Sequence, residues 1–360
     1  MNQFIPSHII AYSDSAFTNP HELVLPDEPK DYTANFTHMG VAYWGLETRR
    51  HIATSIDPQN KKILYQHHAH HWLNIGFEKR ALVENVSVST KWFTGNQIRA
   101  ISVVLIDEYT NEEKEVLTRV NLAPDQEHEF SFSPTNATKA HIKLYYEGGI
   151  ARINFFGSFT EEQLPEKVNI LEKATISHVS NEHYGNPFMA VKGSRKEMHM
   201  VGWESARTGF GEQAIFHLEA PKKIEKVIVD TYLHRLNPPL TCHIFGLMAS
   251  DKNDIETALA DLPKWTIKFA DGITVNPPNF QSYMLNQEYL KEEVADATAF
   301  EILLHRPAGN KWQAVLPFES LERDTYHSFT GFENSGPFSH LLYMHYPNGG
   351  IHGLKVFSTI

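Results

Sequence analysis

The hexapeptide Gly45-Leu46-Glu47-Thr48-Arg49-Arg50 puts a carboxylate within three residues of two guanidinium groups. A glutamate can accept hydrogen bonds from N–H groups or carry a proton. Arginine grips a carboxylate through two parallel charge-assisted bonds. The same three side chains serve more commonly as a structural ion pair that fixes a loop. The element recurs as Gly202-Trp203-Glu204-Ser205-Ala206-Arg207. Recurrence does not choose between the two uses, because a scaffold feature repeats as readily as a site.

A second chemical signal is the run His67, His68, His70 and His71 ahead of Trp72. Dense histidine suits metal binding or proton transfer. The spacing is not that of a zinc helix, and no nearby Cys or Asp completes a ligand shell. His67 and His68 read as a solvated loop, whereas His70 and His71 abut the apolar run Trp72–Phe77 and fit a pocket rim. Asn96 follows Gly95, foremost a turn, with an amide that can read a polar ligand. Cys242, the only cysteine, sits in the apolar run Thr241–Leu247 and reads as a buried structural thiol. No phosphate loop, dinucleotide fingerprint or nucleophile elbow is present.

The elements that must position these groups are mostly strands. Short runs rich in Val, Ile, Tyr and Phe occur at 83–93, 98–107, 141–146 and 151–157, bounded by turn residues. The second half repeats the habit at 214–220, 226–233, 241–247, 300–305, 341–346 and 353–358. Helical periodicity is confined to 253–262 and 286–294. Many short strands separated by turns predict an all-β chain of sandwich or jelly-roll type.

Four landmarks recur in order: a serine followed by an aromatic (Ser13 with Phe17, Ser180 with Tyr184), the Gly-x-Glu-x-x-Arg element, a Val-x-Thr turn (Val88–Asn96, Val229–Asn237), and a His-led strand ending in Gly-Gly-Ile (His141–Ile150, His340–Ile351). An internal duplication follows. The glutamates are 157 residues apart, Thr90 and Thr231 are 141 apart, and Gly148 and Gly349 are 201 apart. The first copy therefore carries extra residues around 51–70, and the second a long insertion within 248–335. The expected layout is a first repeat over 1–157, a polar linker over 158–173 and a second repeat over 174–360.

The formal charge of −11 over 360 residues argues against nucleic acid or an anionic membrane as partner, and leaves room for a local basic pocket for a small anion. A lone cysteine, no basic-then-apolar leader and no apolar run near the ~20 residues of a membrane helix predict a soluble cytoplasmic protein.

On these residues the chain resembles the allantoicase family. Its repeats carry a Gly-Trp-Glu-Thr-x-Arg signature, a His-Asp-Trp segment, Val-Asp-Thr with Phe-x-Gly-Asn, and His-x-Arg-Leu with a Gly-Gly-Ile-x-Arg hairpin. The first copy matches with Gly45, Glu47, Thr48, Arg49, Arg50, His70, Trp72, Val88, Thr90, Phe93, Gly95, Asn96, His141, Leu144, Gly148, Gly149, Ile150 and Arg152. The second keeps Gly202, Trp203, Glu204, Arg207, Val229, Asp230, Thr231, Asn237, His340, Gly349, Gly350 and Ile351. Departures include Leu46, His71 and Ser89 in the first copy. Glu212, Gln213 and Ala214 stand at the His-Asp-Trp positions of the second, and Leu342 and Gly353 where its hairpin would carry arginine.

The resemblance implies two tandem jelly-roll β-sandwich domains of the galactose-binding-like kind. It also implies a hydrolase of purine and allantoin breakdown that cleaves allantoate, or a related ureide, to ureidoglycolate and urea. The site is then expected in the less altered first copy. Glu47 and His70 would transfer protons, Arg49, Arg50 and Arg152 would hold the substrate carboxylate, and Asn96 and His141 would orient the ureido arms. The arginines are expected to keep Glu47 ionised at neutral pH. Glu204, Arg207, Asn237 and His340 are the second-copy counterparts. No metal is demanded; if one binds, His70 and His141 are the first residues to test. A homo-oligomer is left open. The alternative is a non-catalytic jelly-roll module that binds a small polar or carbohydrate-like ligand, since fold does not fix function.

Overall fold

Alternating burial along the strands shows how the sequence makes its layers. In Glu127–Tyr145, Ala140, Ile142 and Leu144 are buried while Lys139, His141, Lys143 and Tyr145 between them are half-buried on the other face. The computed structural model describes residues 3–15, 18–32, 35–37, 40–41, 44–159, 167–195, 201–207, 211–260, 262–269, 272, 274–275, 300–305 and 309–359. The chain divides into two units, Met1–Gln163 and Leu164–Ile360.

The first unit is an antiparallel jelly-roll sandwich. Two 19-residue strands, His71–Ser89 and Glu127–Tyr145, run through both of its layers. Their pairing shifts register between Ala137 and Lys139, opposite Ala81 and Gly76, and the strands bend there. The halves on one side of the bend pair with Ser7–Tyr12 and Ala100–Asp107, to which Glu112–Asn121 adds. On the other side, Arg152–Phe159 and Gln3–Phe4 extend the ladder. Leu73, Ile75, Ile101, Val103 and Ile142 from one layer and Val83, Val88, Ile153 and Phe155 from the other close into one core.

The second unit has the same plan with the long strands cut in two. A five-stranded sheet takes Thr175–Val179, Glu212–Lys222, Phe338–Tyr346, Thr241–Leu247 and Gln313–Ser320. A four-stranded sheet takes Lys167–Asn169, Gly353–Thr359, Lys226–Asp230 and Tyr326–Thr330.

The duplication holds at the level of single hydrogen bonds. Thr90 Oγ donates to the carbonyl of Ala123 at 2.7 Å, and Thr231 Oγ to that of Glu322 at 2.6 Å. The left-handed residues Trp92 and Leu233 donate their N–H groups, each at 2.8 Å, to Asp125 and Asp324. Ser13 Oγ accepts from the N–H of Trp72 and Ser180 Oγ from that of Gln213, each at 2.9 Å. This last pair corrects the alignment by one residue: Glu212 is the counterpart of His71 and Gln213 that of Trp72. A second correction concerns His340. His71 pairs with Leu144 and Glu212 with His345, so Leu342 stands where the first copy has His141, two residues beyond His340.

The linker is shorter than the expected 158–173. Residues 158–159 continue a strand, 167–169 pair with 357–359, and 160–166 lie outside the described residues. The insertion also narrows. Gln313–Ser320 and Tyr326–Thr330 are sandwich strands, leaving the helix Lys252–Ala260 and a small sheet of Lys264–Phe269, Thr274–Val275 and Phe300–His305 as the excursion. The helix expected at 286–294 lies outside the described residues. In the first copy the excursion is a hairpin, Thr54–Asp57 with Lys62–Tyr65. Cys242 is buried, which pushes its thiol well above the usual range.

The register identifies a core substitution between copies. His345 is fully buried where the first copy has Leu144, and neither of its ring nitrogens has a protein partner. Burial, with His234 nearby, holds its imidazole at about 3. The unfolded chain takes up that proton below about 6.5 and the folded chain does not, so stability falls as pH drops from about 6.5 toward 3, by roughly 1.4 kcal/mol per unit. Replacing His345 with Leu should raise stability at pH 7 by about 1–3 kcal/mol and reduce the acid-limb slope by one proton, read by denaturant melts across pH.

Candidate active site

Glu47 is placed by a short pairing, Leu46–Glu47 against Gly149–Ile150. Gly45, which leads into it, has φ +53°, and a Cβ there would sit 2.3 Å from the carbonyl oxygen of Ile150. Only glycine permits both the left-handed turn and this approach. Thr48 locks the far side: its N–H donates to the carbonyl of Gly148 at 3.0 Å, and its hydroxyl accepts from the Gly148 N–H at 3.1 Å. Gly149 in turn donates to the carbonyl of Asn96 at 2.8 Å. A Cβ on Gly149 would lie 2.0 Å from the Phe93 ring, so the turn carrying Asn96 packs directly on the hairpin.

This junction brings the Asn96 amide to Glu47. Asn96 Nδ2 donates to Glu47 Oε1 at 2.9 Å, while Glu47 Oε2 is buried with no protein partner. The carboxyl is raised above its usual range. Burial dominates, and the Asn96 bond and then the Arg50 charge offset it only in part. Desolvation is thus the larger influence on this carboxyl, and the Arg50 charge a smaller opposing one.

Glu47 opens into a cleft of about 450 Å³. Arg50, Asn96, Gln97, Arg99 and Tyr146 are among the residues that line it. Arg50 and Arg99 are exposed, and neither makes an ion pair among the described residues. Gln97 is 2% exposed, and both atoms of its amide lack a protein partner. Leaving buried polar atoms unpaired costs about 1–3 kcal/mol per group. Tyr146 lies under the guanidinium of Arg119, which donates to its hydroxyl at 2.5 Å. A hydrogen bond with Tyr65, then Arg119, holds its phenol below the usual tyrosine range.

Other expected site residues lie elsewhere. Arg49 is exposed, does not line the cleft and is tied through its N–H to Asp14 at 2.5 Å. His70 and His141 sit on the half-buried face away from the core. Nδ1 of His70 lies 2.9 Å from the carbonyl of His68, with the ring beside Tyr145, while Nδ1 of His141 is 2.7 Å from Asn74 Oδ1 and its ring lies beside Trp72. Burial, then Lys143 and His70, lowers the imidazole of His141. Neither ring lines the cleft. No cluster of three or more His, Cys, Asp or Glu side chains suited to a metal ion occurs among the described residues.

Arg152 is also diverted. It is buried, and it donates to the carbonyls of Asp27 at 2.9 Å and Ala151 at 2.8 Å, near the carboxylate of Glu22. Gln97, Arg99 and Tyr146 carry no sequence pattern that marks them as site residues. The one signal available is divergence between the copies around a shared asparagine.

In the second copy Asn237 Nδ2 donates to Glu204 Oε1 at 2.8 Å, and Ser205 repeats the part of Thr48. Pro238, Leu240, Pro347 and Asn348 stand at the positions of Gln97, Arg99, Tyr146 and Glu147. Leu236, Leu240 and Arg207 are all exposed. His340 stacks on His217, with ring centroids 4.4 Å apart.

The allantoicase repeat model matches residues 1–160 and again 167–360. Allantoicase of Saccharomyces cerevisiae is 24% identical over 69% of this chain and 76% of its own length. Allantoicase of Neurospora crassa is 24% identical over 97% of this chain and 88% of its own. The crystal structure of the Saccharomyces cerevisiae allantoicase aligns over 98% of this chain and 90% of that one, at 19% identity and a TM-score of 0.34.

Arg152 should prove structural. Arg152→Met strands two carbonyls and removes the main cation facing Glu22, and denaturant melts should show a loss of about 2–4 kcal/mol.

Proposed function

The chain belongs to the allantoicase family, and we propose that it hydrolyses allantoate, or a close ureide, to ureidoglycolate and urea in the cleft beside Glu47. The observation that carries this reading is the free Glu47 Oε2, buried in a cleft whose other walls supply two uncommitted arginines. Such a set matches an anion with polar nitrogen arms.

In the proposed reaction Arg50 and Arg99 hold the substrate carboxylate. Glu47 takes a proton from water as the water oxygen bonds to the central carbon. The bond from that carbon to one ureido nitrogen breaks, and the nitrogen leaves as urea with a proton from the Tyr146 hydroxyl. Return of a proton from Glu47 to the phenolate through solvent resets the pair. A carboxyl pushed up and a phenol pushed down bring donor and acceptor closer in proton affinity, which favours both transfers. Asn96 is a positioning residue that holds Glu47 Oε1. A small anionic ureide is the proposed partner, and the cytoplasm the proposed setting.

Purified protein should release urea from allantoate. Because Glu47 acts deprotonated and burial raises its carboxyl above 4.5, kcat/KM should fall as pH drops through that raised value. Arg99→Ala should raise KM on the order of 10-fold with a smaller change in kcat. Binding of allantoate without urea release would favour the non-catalytic module instead.

A further inference from the structure

Two histidines on the five-stranded sheet of the second unit have no part in the proposed reaction. His217 and His340 are cross-strand partners in Glu212–Lys222 and Phe338–Tyr346. Two residues along on the same face, Ile215 and Leu342 are buried with Phe245 and Trp312 in a small apolar cluster. The histidines border that cluster: His340 is buried and His217 is exposed. Their rings lie parallel to within 3°, with centroids 4.4 Å apart. Thr175 stands opposite His217 on one neighbouring strand and Leu247 opposite His340 on the other, so the residues in register offer the imidazoles no counter-charge.

The hydrogen bonds around His340 fix where its lone pair lies. Ser339 Oγ donates its one proton to the carbonyl of Leu247 at 3.1 Å and accepts from the Ala249 N–H at 3.0 Å. Its remaining lone pair faces Nδ1 of His340 at 3.0 Å, so Nδ1 carries the ring proton and donates it. The free lone pair is then on Nε2, which has no hydrogen bond among the described residues. A hydrogen bond behind the ring that sets tautomer and orientation is the usual support of a metal-binding imidazole. Burial, then His217, holds this imidazole at about 4, so the ring is neutral at pH 7.

We propose that His217 and Nε2 of His340 form a two-histidine site for a late divalent transition metal, Cu2+ above all, on this sheet face. Imidazole suits such ions, and Cu2+ stands at the top of their affinity order. With metal–nitrogen bonds of about 2.0–2.1 Å, two nitrogens on one ion lie about 3–4 Å apart. The 4.4 Å ring spacing meets that after a small turn of the exposed His217. The ion enters from the His217 side. No third His, Cys, Asp or Glu joins the pair among the described residues, so water completes the shell.

The test titrates the full chain, stripped of metal by a chelator, with Cu2+ in a calorimeter and melts it with and without the ion. His217→Asn removes one ligand at an exposed position, and His340→Phe keeps a flat ring in the stack while removing the other. Each should weaken the tightest Cu2+ equivalent by on the order of 10-fold or more. In the wild type that equivalent should raise the melting temperature, because only the fold brings the two rings together, and the rise should vanish in both variants. His67→Asn combined with His68→Asn, in the other histidine run, should leave both effects intact. A wild type that gains no stability from Cu2+, or a folded His217 or His340 variant with wild-type affinity, overturns the site. So does loss of the tight equivalent with His67 and His68 instead. Unchanged Cu2+ binding with a lower melting temperature in His340→Phe would make the stacked pair packing alone.

Discussion

The Gly148-Gly149 turn is the contact on which the site depends. Gly148 exchanges two hydrogen bonds with Thr48, Gly149 pairs with Glu47, and the Gly149 N–H fixes the carbonyl of Asn96. Glu47 and Asn96, 49 positions apart in sequence, therefore meet at 2.9 Å without either strand supplying the other's neighbour. The turn tolerates no side chain at Gly149, where a Cβ would enter the Phe93 ring. The second copy repeats the arrangement with Gly349, Gly350, Ser205, Glu204 and Asn237.

That repetition divides the two uses open to the Glu/Arg element. One oxygen of Glu47 is structural, bound by Asn96 as Glu204 is bound by Asn237. The other is unpaired, and only the first copy surrounds it with Gln97, Arg99 and Tyr146. Both halves hold the scaffold, and one holds the surrounding chemistry. A buried carboxylate near an arginine is thus not enough to mark a site; its uncommitted atom and the walls around that atom mark it.

The duplication is legible in the sequence because turn chemistry is local. Thr90 and Thr231, Gly45 and Gly202, and the two Gly-Gly hairpins are dictated by backbone geometry within a few residues, so the same residue types stand in both copies. The strands are legible as apolar runs, but the bend that lets Glu127–Tyr145 cross both layers is not, because its register shift depends on the partner strand. Residue type alone matches His340 to His141. Pairing puts Leu342 there, and a count back from the second glycine pair gives the same answer. Arg152 cannot be placed from sequence. Its partners Asp27 and Glu22 lie more than a hundred residues away in a segment with no pattern of its own. Glu47, Arg50 and Asn96, legible from their motif types, line one cleft, while Gln97, Arg99 and Tyr146 line it with no local signature.

Matched substitutions at Glu47 and Glu204 test whether the first copy alone carries the chemistry. The most direct measurement is urea release from allantoate by Glu47→Gln and Glu204→Gln, with turnover expressed per folded molecule. Turnover should fall on the order of 10²-fold or more for Glu47→Gln, as for other positioned acid–base groups, and stay near wild type for Glu204→Gln. Equal losses in the two variants, or a loss confined to Glu204→Gln, would contradict a first-copy site.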